Sequence, residues 1–183
     1  MKKTIVPLLL VFLFSCKKEK APTIDYRGEM RNFVQKISAY ARSIYPGFII
    51  IPQNGHQLLT LDGEANGIPA ADYIQAIDGI GREDLFYGFN TDDESTPINI
   101  KNETIPFMNI AKNNGIQVLV TDYCSTPGNV NASYEENASR GYISFAADHR
   151  ELDNIPAYPA APYNMDTNHV NVLNDANNFL YII

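Results

Sequence analysis

Short, uninterrupted apolar runs recur along this chain, and most of them follow a segment with helical spacing. The run at 48–51 is Phe-Ile-Ile-Ile, and it follows a helical pattern that begins at Tyr26 and is ended by Pro46-Gly47. An apolar run without polar alternation predicts a strand covered on both faces, as in a parallel sheet. Because strands that alternate with helices form right-handed βαβ units, the chain is predicted to have an α/β fold with parallel strands.

The same pattern predicts about five strands in all. A helix at 70–76 leads to a short strand near 77–80, and a helix at 105–113, ended by Asn114-Gly115, leads to a strand at 117–120. A stretch around 134–140 that is poor in helical signals precedes a strand at 142–146, and a last apolar strand is predicted at 178–183.

Polar side chains stand just past the end of each of the first four predicted strands. In chain order they are Gln53 and Asn54, then Arg82, Glu83 and Asp84, then Asp122 and Tyr123, then Asp148, His149 and Arg150. The carboxyl ends of parallel strands meet at one edge, and that edge is where (β/α) barrels build their sites. These residues are therefore predicted to form one pocket wall.

The first 15 residues are predicted to be a signal peptide. Lys2 and Lys3 precede an apolar run at 5–14 that ends at Ser15-Cys16, and the run is shorter than the roughly 20 residues that span a bilayer. The ending Leu-Phe-Ser-Cys resembles a bacterial lipobox, so Cys16 is predicted to be lipidated and to anchor the protein in the cell envelope. The alternative is an ordinary secretory signal with a chance cysteine. Residues 16–25 then form a tether and 26–183 the domain.

Charge indicates the class of ligand, and the cysteines and histidines indicate whether a disulfide or a metal site is expected. Without Lys2 and Lys3 the 14 basic residues fall to 12 against 21 acidic ones, a net charge of −9. That charge argues against nucleic-acid partners and favours neutral or cationic ligands. After Cys16 only Cys124 remains, so an intramolecular disulfide is not expected. The three histidines are far apart and lack a metal-binding pattern, and no metal or other cofactor is expected.

Three strand-end phrases carry a resemblance to a known family. FIIIPQNG, IDGIGREDLFYG and VLVTDYC, in this order and at these separations, resemble the endo-alpha-1,4-polygalactosaminidase-like proteins, glycoside hydrolase family 114 and its relatives. The resemblance covers roughly residues 30–147. It implies a (β/α)8 barrel, secreted or surface-attached, that hydrolyses alpha-linked galactosamine-containing polysaccharide with two carboxylates and no metal.

The order of the motifs differs from that of the family. The matching segments belong to the second half of the family's barrel, whereas here they directly follow the predicted signal peptide, and Asn178-Phe179-Leu180-Tyr181 resembles the family's first barrel strand. A full barrel takes about 250 residues, against 168 after removal of the first 15 from 183. The expected fold is therefore a partial (β/α)8 TIM barrel, circularly permuted. The chain is expected to be either a fragment or a gene-model truncation, or a half that pairs with the missing barrel half or with a second copy of the chain.

Glu83 is the predicted catalytic acid/base, because it matches the family's strand-end glutamate. Its apolar neighbours are expected to raise its pKa and keep it able to donate a proton, with Arg82 and Asp84 tuning it. Glycoside hydrolysis also needs a second carboxylate as nucleophile or base. The alternative for Glu83 is a structural ion pair with Arg82 at the rim.

The remaining candidates are predicted to bind substrate. Asp122 would orient an amino or hydroxyl group of the sugar or, equally, cap the helix that follows. Tyr123 would serve as a stacking platform. Gln53 and Asn54 suit neutral hydroxyls, and their alternative is a Pro-Gln-Asn-Gly turn. Asp78 is expected to support the site from behind, and 148–150 either closes the site or forms a surface salt-bridge cluster.

The expected function follows from these assignments. The chain is predicted to be a lipid-anchored surface protein that resembles a hydrolase of amino-sugar polysaccharide. The family's second acid, an aspartate on an earlier barrel strand, has no counterpart among the 183 residues, so the chain alone is expected to be inactive. The alternative from another class is a surface lipoprotein that binds glycan without cleaving it.

Overall fold

In a computed structural model of the chain, the structure describes residues 24–165 and 168–183. The predicted signal peptide, Cys16 and most of the predicted tether lie outside the described residues. The elements in chain order are α1 (Tyr26–Ile44), a 3-10 turn (His56–Leu59), α2 (Ala71–Gln75), β1 (Gly79–Glu83), α3 (Ile98–Asn113), β2 (Gln117–Tyr123), α4 (Pro127–Ser139), β3 (Ile143–Ala147) and a second 3-10 turn (Leu173–Asp175). No helix in the described part of the chain is long and apolar enough to cross a membrane.

The three strands form one parallel sheet in the order β1-β2-β3. Glu83 at the end of β1 is opposite Thr121, and Tyr123 at the end of β2 is opposite Ala147 at the end of β3. All three carboxyl ends therefore lie at one edge of the sheet. The predicted α/β class and the parallel direction are confirmed, while the sheet of the described residues is small and not closed.

The two faces of the sheet are covered differently. On one face Ile80, Val118 and Val120 are fully buried in a core that also contains residues of α2 and α3. On the opposite face Tyr123 and Phe145 are covered by irregular chain. We call this second surface the inner face. It carries Glu83, because successive side chains of a strand point to opposite sides.

Residues 48–51 do not form the predicted doubly covered strand. The chain there is extended and runs beside β1 in the same direction, with one parallel bridge from Gln53 to Gly81 and a hydrogen bond from the N–H of Gly81 to the carbonyl of Pro52 (2.9 Å). Proline has no N–H to extend a ladder. Ile50 is 9% exposed, but Ile51 is 39% exposed, so only one side of this segment is buried.

The boundaries of the middle elements differ from the prediction. The strand predicted near 77–80 is β1 at Gly79–Glu83, so Arg82 and Glu83 are its last two residues. The helix α3 begins seven residues earlier than predicted and contains Pro106.

The prediction that 134–140 is poor in helix is wrong, because α4 runs from Pro127 to Ser139. Its sequence is rich in asparagine and serine, which are weak helix formers. The helix instead buries Val130, Ser133, Tyr134 and Asn137 against the sheet, and tertiary packing of this kind is the usual source of helix stability.

The last apolar segment is not a strand. Residues 178–183 make no ladder, although Ile183 donates its N–H to the carbonyl of Leu152 (3.0 Å). Phe179 and Tyr181 pack on the inner face, with the ring of Phe179 6.0 Å from that of Phe145. The described residues therefore contain three of the five predicted strands, and the last segment covers the sheet instead of extending it.

Helix α1 matches its prediction and ends at Ile44, before Pro46-Gly47. It attaches to the domain through Val34 and Ala41, which pack against the core, and through polar contacts on its inward side. Arg31 donates to the carbonyl of Thr60 (3.0 Å), and Arg42 forms an ion pair with Asp78 (2.7 Å).

Asp78 lies just before β1, at the end of the strand away from Glu83, so it does not support the site as predicted. Its Oδ2 accepts hydrogen bonds from Arg42 and from the N–H of Ile50, both at 2.7 Å. One carboxylate oxygen thus joins α1 and the extended segment to the start of β1.

We expect Asp78→Ala to lower the free energy of unfolding by about 1–2 kcal/mol, because both donors lose their acceptor. Urea denaturation monitored by circular dichroism measures this change. Glu103→Ala on the exposed side of α3 is the matched control, and an equal loss in both variants would contradict the role of Asp78.

Candidate functional site

The centre of the candidate site is the carboxylate of Glu83, the last residue of β1. Its Oε1 accepts a hydrogen bond from the hydroxyl of Tyr123 (2.8 Å), and its Oε2 accepts one from Nδ2 of Asn54 (2.9 Å). Tyr123 ends β2, and Asn54 ends the extended segment beside β1. Three neighbouring parallel segments therefore deliver these three side chains to one point.

Asn54 positions Glu83 through its whole amide. While Nδ2 binds the carboxylate, Oδ1 accepts from the N–H of Glu83 and from Nη1 of Arg82, both at 3.2 Å. Its backbone is left-handed, with φ of +58°, a conformation that asparagine tolerates well. The chain bends at Asn54, but the predicted Pro-Gln-Asn-Gly turn does not form there, and the N–H of Asn54 donates to the carbonyl of Gly81 (2.7 Å).

Arg82 directs its guanidinium to Asn54 and not to Glu83. The predicted structural ion pair between Arg82 and Glu83 does not form. Burial lowers the pKa of Arg82, against the opposing influence of nearby Asp84 and Glu83, and its Nε is buried without a partner among the described residues. Arg82 supports Asn54 from behind the rim.

Tyr123 is a buried hydrogen-bond donor, 3% exposed. Burial raises its pKa, and the hydrogen bond to Glu83 raises it further, so its hydroxyl keeps its proton at neutral pH. The guanidinium carbon of Arg150 lies 4.3 Å from the centre of its ring, within the range of a cation–π contact. That face of the ring is occupied, and the structure does not offer it as the predicted sugar platform.

Arg150 reaches the site from the loop after β3. It forms ion pairs with Asp84 (3.2 Å) and Asp92 (2.7 Å) and donates to the carbonyl of Gly88. Burial raises the pKa of the Asp84 carboxyl, while the charge of Arg150 works against that rise. Asp84 is thus engaged with a cation. We call the set Asn54, Glu83, Asp84, Tyr123 and Arg150 the carboxyl-end rim.

The other two residues of the predicted Asp148-His149-Arg150 group do not join the rim. His149 lies between Asp148 (2.7 Å) and Asp153 (2.6 Å), and the hydrogen bond to Asp153 raises its pKa. This is the surface cluster named as the alternative. The predicted group therefore divides between the site and the surface.

Asp122 does not reach the rim, because its side chain points away from the inner face and is 0% exposed. Oδ1 accepts from the N–H groups of Phe86 (2.8 Å) and Tyr87 (3.3 Å), and Oδ2 accepts from Ser133 (2.7 Å) and Asn137 (3.2 Å). Burial raises its pKa, and these four donors oppose the rise. Its predicted use as a helix cap is also wrong, because the N-cap of α4 is Thr126.

Gln53 lies on the inner face beside the rim. Its amide crosses Gly81, where a Cβ would displace the end of the Gln53 side chain. Gln53 lines a cleft of about 240 Å³ together with Ile51, Gly81, Leu119, Thr121, Phe179 and Tyr181. It is available to a ligand on the inner face, but it makes no hydrogen bond to Glu83.

The sequence reasoning missed the loop that braces the rim, residues 84–97, here called the rim loop. Its ends are joined by a hydrogen bond from Thr96 Oγ1 to the carbonyl of Asp84 (2.8 Å). Asp93 accepts from the N–H groups of Ser125 (2.9 Å) and Thr126 (3.0 Å), which fixes the loop to the start of α4. The signal was the run of turn-forming residues at 90–96, Asn-Thr-Asp-Asp-Glu-Ser-Thr, which follows Asp84 after five mostly apolar residues.

Among residues 24–165 and 168–183 there is no group of three or more histidine, cysteine or acidic side chains arranged to hold a metal ion. Cys124, directly after β2, is buried as a free thiol. Burial raises its pKa to about 12, which leaves it unreactive at neutral pH.

Comparison with known proteins finds relatives without a stated activity. No protein-family model matches the chain. The uncharacterized protein MJ1477 of Methanocaldococcus jannaschii is 32% identical over 136 residues, which cover 69% of this chain and 37% of the relative. An uncharacterized protein of Deinococcus radiodurans is 28% identical over 130 residues, which cover 70% of this chain and 38% of the relative. The chain thus spans less than two fifths of the length of these curated relatives.

We expect Asp122→Asn to destabilise the protein by roughly 3 kcal/mol. The substitution replaces one carboxylate oxygen, which accepts hydrogen bonds, by an NH₂ group, which donates them. The buried donors on that side of residue 122 then lose their acceptor and face another donor. Urea denaturation measures the change. Asp72→Asn on the exposed surface of α2 is the matched control and should stay within about 0.5 kcal/mol of the unsubstituted protein. A loss as small as that of the control would show that the four hydrogen bonds of Asp122 contribute little.

A pH prediction follows from Asp93. Although burial opposes ionisation, hydrogen bonds from Thr126 and Ser125 lower the pKa of Asp93 to about 2, from about 3.9 in an unfolded chain. A lowered folded-state pKa stabilises the protein above the unfolded value and is lost as pH falls through the folded value. The difference in unfolding free energy between the unsubstituted protein and Asp93→Asn should therefore shrink between pH 4 and pH 2. A difference that is constant with pH would contradict this role.

Proposed function

We propose that this chain carries part of the active site of a glycoside hydrolase that cleaves alpha-1,4-linked galactosamine-containing polysaccharide, with Glu83 as its acid/base. The observation that carries the proposal is the pair of hydrogen bonds that fix the Glu83 carboxylate at the carboxyl end of β1. Carboxylates held at the carboxyl ends of parallel strands are typical of barrel enzymes, and glycosidases act through such groups.

Two neutral hydrogen-bond donors orient the carboxylate of Glu83. Because neither donor is a cation, they do not cancel its negative charge. Each carboxylate oxygen accepts one hydrogen bond, from Tyr123 or from Asn54, and retains another lone pair for a ligand. A glycosidic oxygen at that position would receive a proton from the protonated form of Glu83 as the bond to the sugar breaks. A second carboxylate, supplied from outside the described residues, would act on the sugar carbon as nucleophile or would activate the attacking water.

The charge of the rim supports an amino sugar as substrate. Glu83, Asp84 and Asp92 are close to the site, and Arg150 is already paired with the two aspartates. An ammonium group on the sugar would meet an acidic surface with one uncompensated carboxylate, that of Glu83. The net charge of −7 for the whole chain would draw such a cationic polymer towards the protein.

The partial barrel, the lipid anchor at Cys16 and the cell-envelope location are part of the same proposal. The extended segment 50–54, β1, β2 and β3 are four neighbouring parallel segments, with helices packed on the face away from Glu83. The relatives that match about 70% of this chain are close to twice its length, which is ample for a barrel of about 250 residues. The remaining strands would come from another barrel half.

A non-catalytic glycan-binding role is the second candidate. It is favoured by the ion pair between Asp84 and Arg150, which engages the carboxylate next in sequence to Glu83. Hydrolysis needs a second carboxylate about 5 Å or roughly 6.5–9.5 Å from the first. No described residue is assigned that role, so the chain alone is expected to bind glycan without cleaving it.

The test combines binding and cleavage on partially deacetylated galactosaminogalactan. We expect the full chain to bind the polymer in isothermal titration calorimetry, and Glu83→Gln to weaken binding at least tenfold because the ammonium group loses its anionic partner. Tyr123→Phe removes one orienting hydroxyl while keeping the ring under Arg150, and it should weaken binding less. Asp72→Asn on the surface of α2 is the control.

Reducing-end release by the same samples separates the two candidates. Release by the unsubstituted chain that is lost in Glu83→Gln would establish hydrolysis within the chain, whereas binding without release would leave the binding role for the chain alone. Absence of binding, or equal binding by Glu83→Gln and the control, would overturn both candidates.

A further inference from the structure

The exposed side of helix α1 carries a continuous apolar stripe with alternating spacings of four and three residues. Its six members are Tyr26, Met30, Phe33, Ile37, Tyr40 and Ile44, and they are 76%, 49%, 58%, 42%, 71% and 68% exposed, respectively. This spacing is the seam of a coiled coil, in which each side chain inserts between side chains of a facing helix. Monomeric proteins rarely expose an apolar stripe of this length.

The inward side of α1 attaches the helix to its own domain through both polar and apolar contacts. Arg31 and Arg42 bind groups of the domain, and Val34 and Ala41 pack against the core. The seam is a second apolar surface on the same helix, and it faces outward.

The order of aromatic and aliphatic side chains along the seam favours an antiparallel helix of the same sequence as its partner. Aromatic side chains occupy positions 26, 33 and 40, and aliphatic side chains occupy positions 30, 37 and 44. In an antiparallel pair of identical helices with full overlap, Tyr26 faces Ile44, Met30 faces Tyr40, and Phe33 faces Ile37. Every layer then contains one large and one smaller side chain, the arrangement that lets facing layers interdigitate. A parallel pair would instead stack aromatic on aromatic in alternate layers.

We infer that α1 is the interface of a homodimer, in which the seams of two copies pair as antiparallel helices about a two-fold axis. A two-fold axis makes the same surface meet itself, and this seam is complementary to its own reverse. A stable interface covers roughly 800 Å² on each partner, which six large side chains at these exposures have the size to approach. The inference is independent of the proposed hydrolase function.

A lipid surface is the competing occupant of this face. A membrane-bound helix uses several free Lys and Arg on its polar side to contact lipid headgroups. In α1, Arg31 and Arg42 are instead committed to the domain, and Lys36 is exposed beside the seam. A flat membrane also gives no reason for aromatic and aliphatic residues to alternate along the seam. These observations favour a second helix.

The antiparallel arrangement predicts how a substitution of Lys36 changes the affinity of the dimer. Lys36 flanks the seam next to Ile37 and is exposed, and at full overlap it lies near the two-fold axis, where it meets Lys36 of the second copy. In a parallel pair it would face Ala41 instead. Lys36→Gln should therefore tighten an antiparallel dimer and leave a parallel dimer unchanged.

The first experiment is sedimentation equilibrium on the full chain with Cys16→Ser, a substitution that prevents lipidation. We expect a monomer–dimer equilibrium whose dissociation constant rises at least tenfold in Phe33→Glu. Ala39→Glu, exposed on the same helix but off the seam, should change it less than twofold. Circular dichroism checks that each variant keeps its helix content.

Cysteine cross-linking then tests the direction of the pair. Tyr26→Cys and Ile44→Cys variants should form a mixed disulfide when oxidised together, and neither should cross-link to itself, because positions 26 and 26 lie 18 residues, or about 27 Å, apart in the antiparallel dimer. Self-linking of Tyr26→Cys would indicate parallel helices and overturn the register.

The remaining outcomes also decide the inference. A chain that stays monomeric at all concentrations, or a dimer equally tolerant of Phe33→Glu and Ala39→Glu, would overturn it. Binding of a monomeric chain to phosphatidylglycerol vesicles that is lost in Phe33→Glu would overturn it in favour of a lipid surface.

Discussion

The buried carboxylate of Asp122 holds together the parts of the structure on which the site depends. It projects from β2 and binds the backbone that follows β1 and two side chains of α4. A buried charge is costly unless its hydrogen-bonding capacity is filled, and here four donors supply what a cation would otherwise provide. The rim can form on the opposite face because β1, β2 and α4 are joined at this one point.

The parallel fold could be predicted from the sequence because it rests on simple apolar patterning. The runs at 117–120 and 142–146 do form adjacent strands, and helix α1 ends where Pro46-Gly47 predicted. The run at 178–183 is equally apolar but packs across the sheet, since periodicity alone does not distinguish a strand from a covering segment. Helix α4 was missed because its stability comes from contacts distant in sequence, among them those of Ser133 and Asn137 with Asp122.

The site was predictable in its location but not in the roles of its members. Strand-end position correctly brought Asn54, Glu83 and Tyr123 together, because parallel strands align their carboxyl ends. The face of the sheet that each side chain occupies depends on strand register. A shift of one residue along the strand decides whether a carboxylate reaches solvent or the core. Asp122 and Tyr123 are consecutive yet serve opposite faces. Asn54 and Tyr123, expected to bind sugar, instead hold Glu83 in place.

The closed rim loop affects the rates at which a ligand associates with the rim and dissociates from it. Thr96 joins its two ends, and Asp93 fastens its middle to the start of α4, so hydrogen bonds within the chain hold the loop beside Glu83 in place. Little conformational entropy remains to be lost on contact. We therefore expect a ligand of the carboxyl-end rim to associate at a rate set by diffusion and charge, with no slow opening step, and its residence time to depend on the contacts broken at departure.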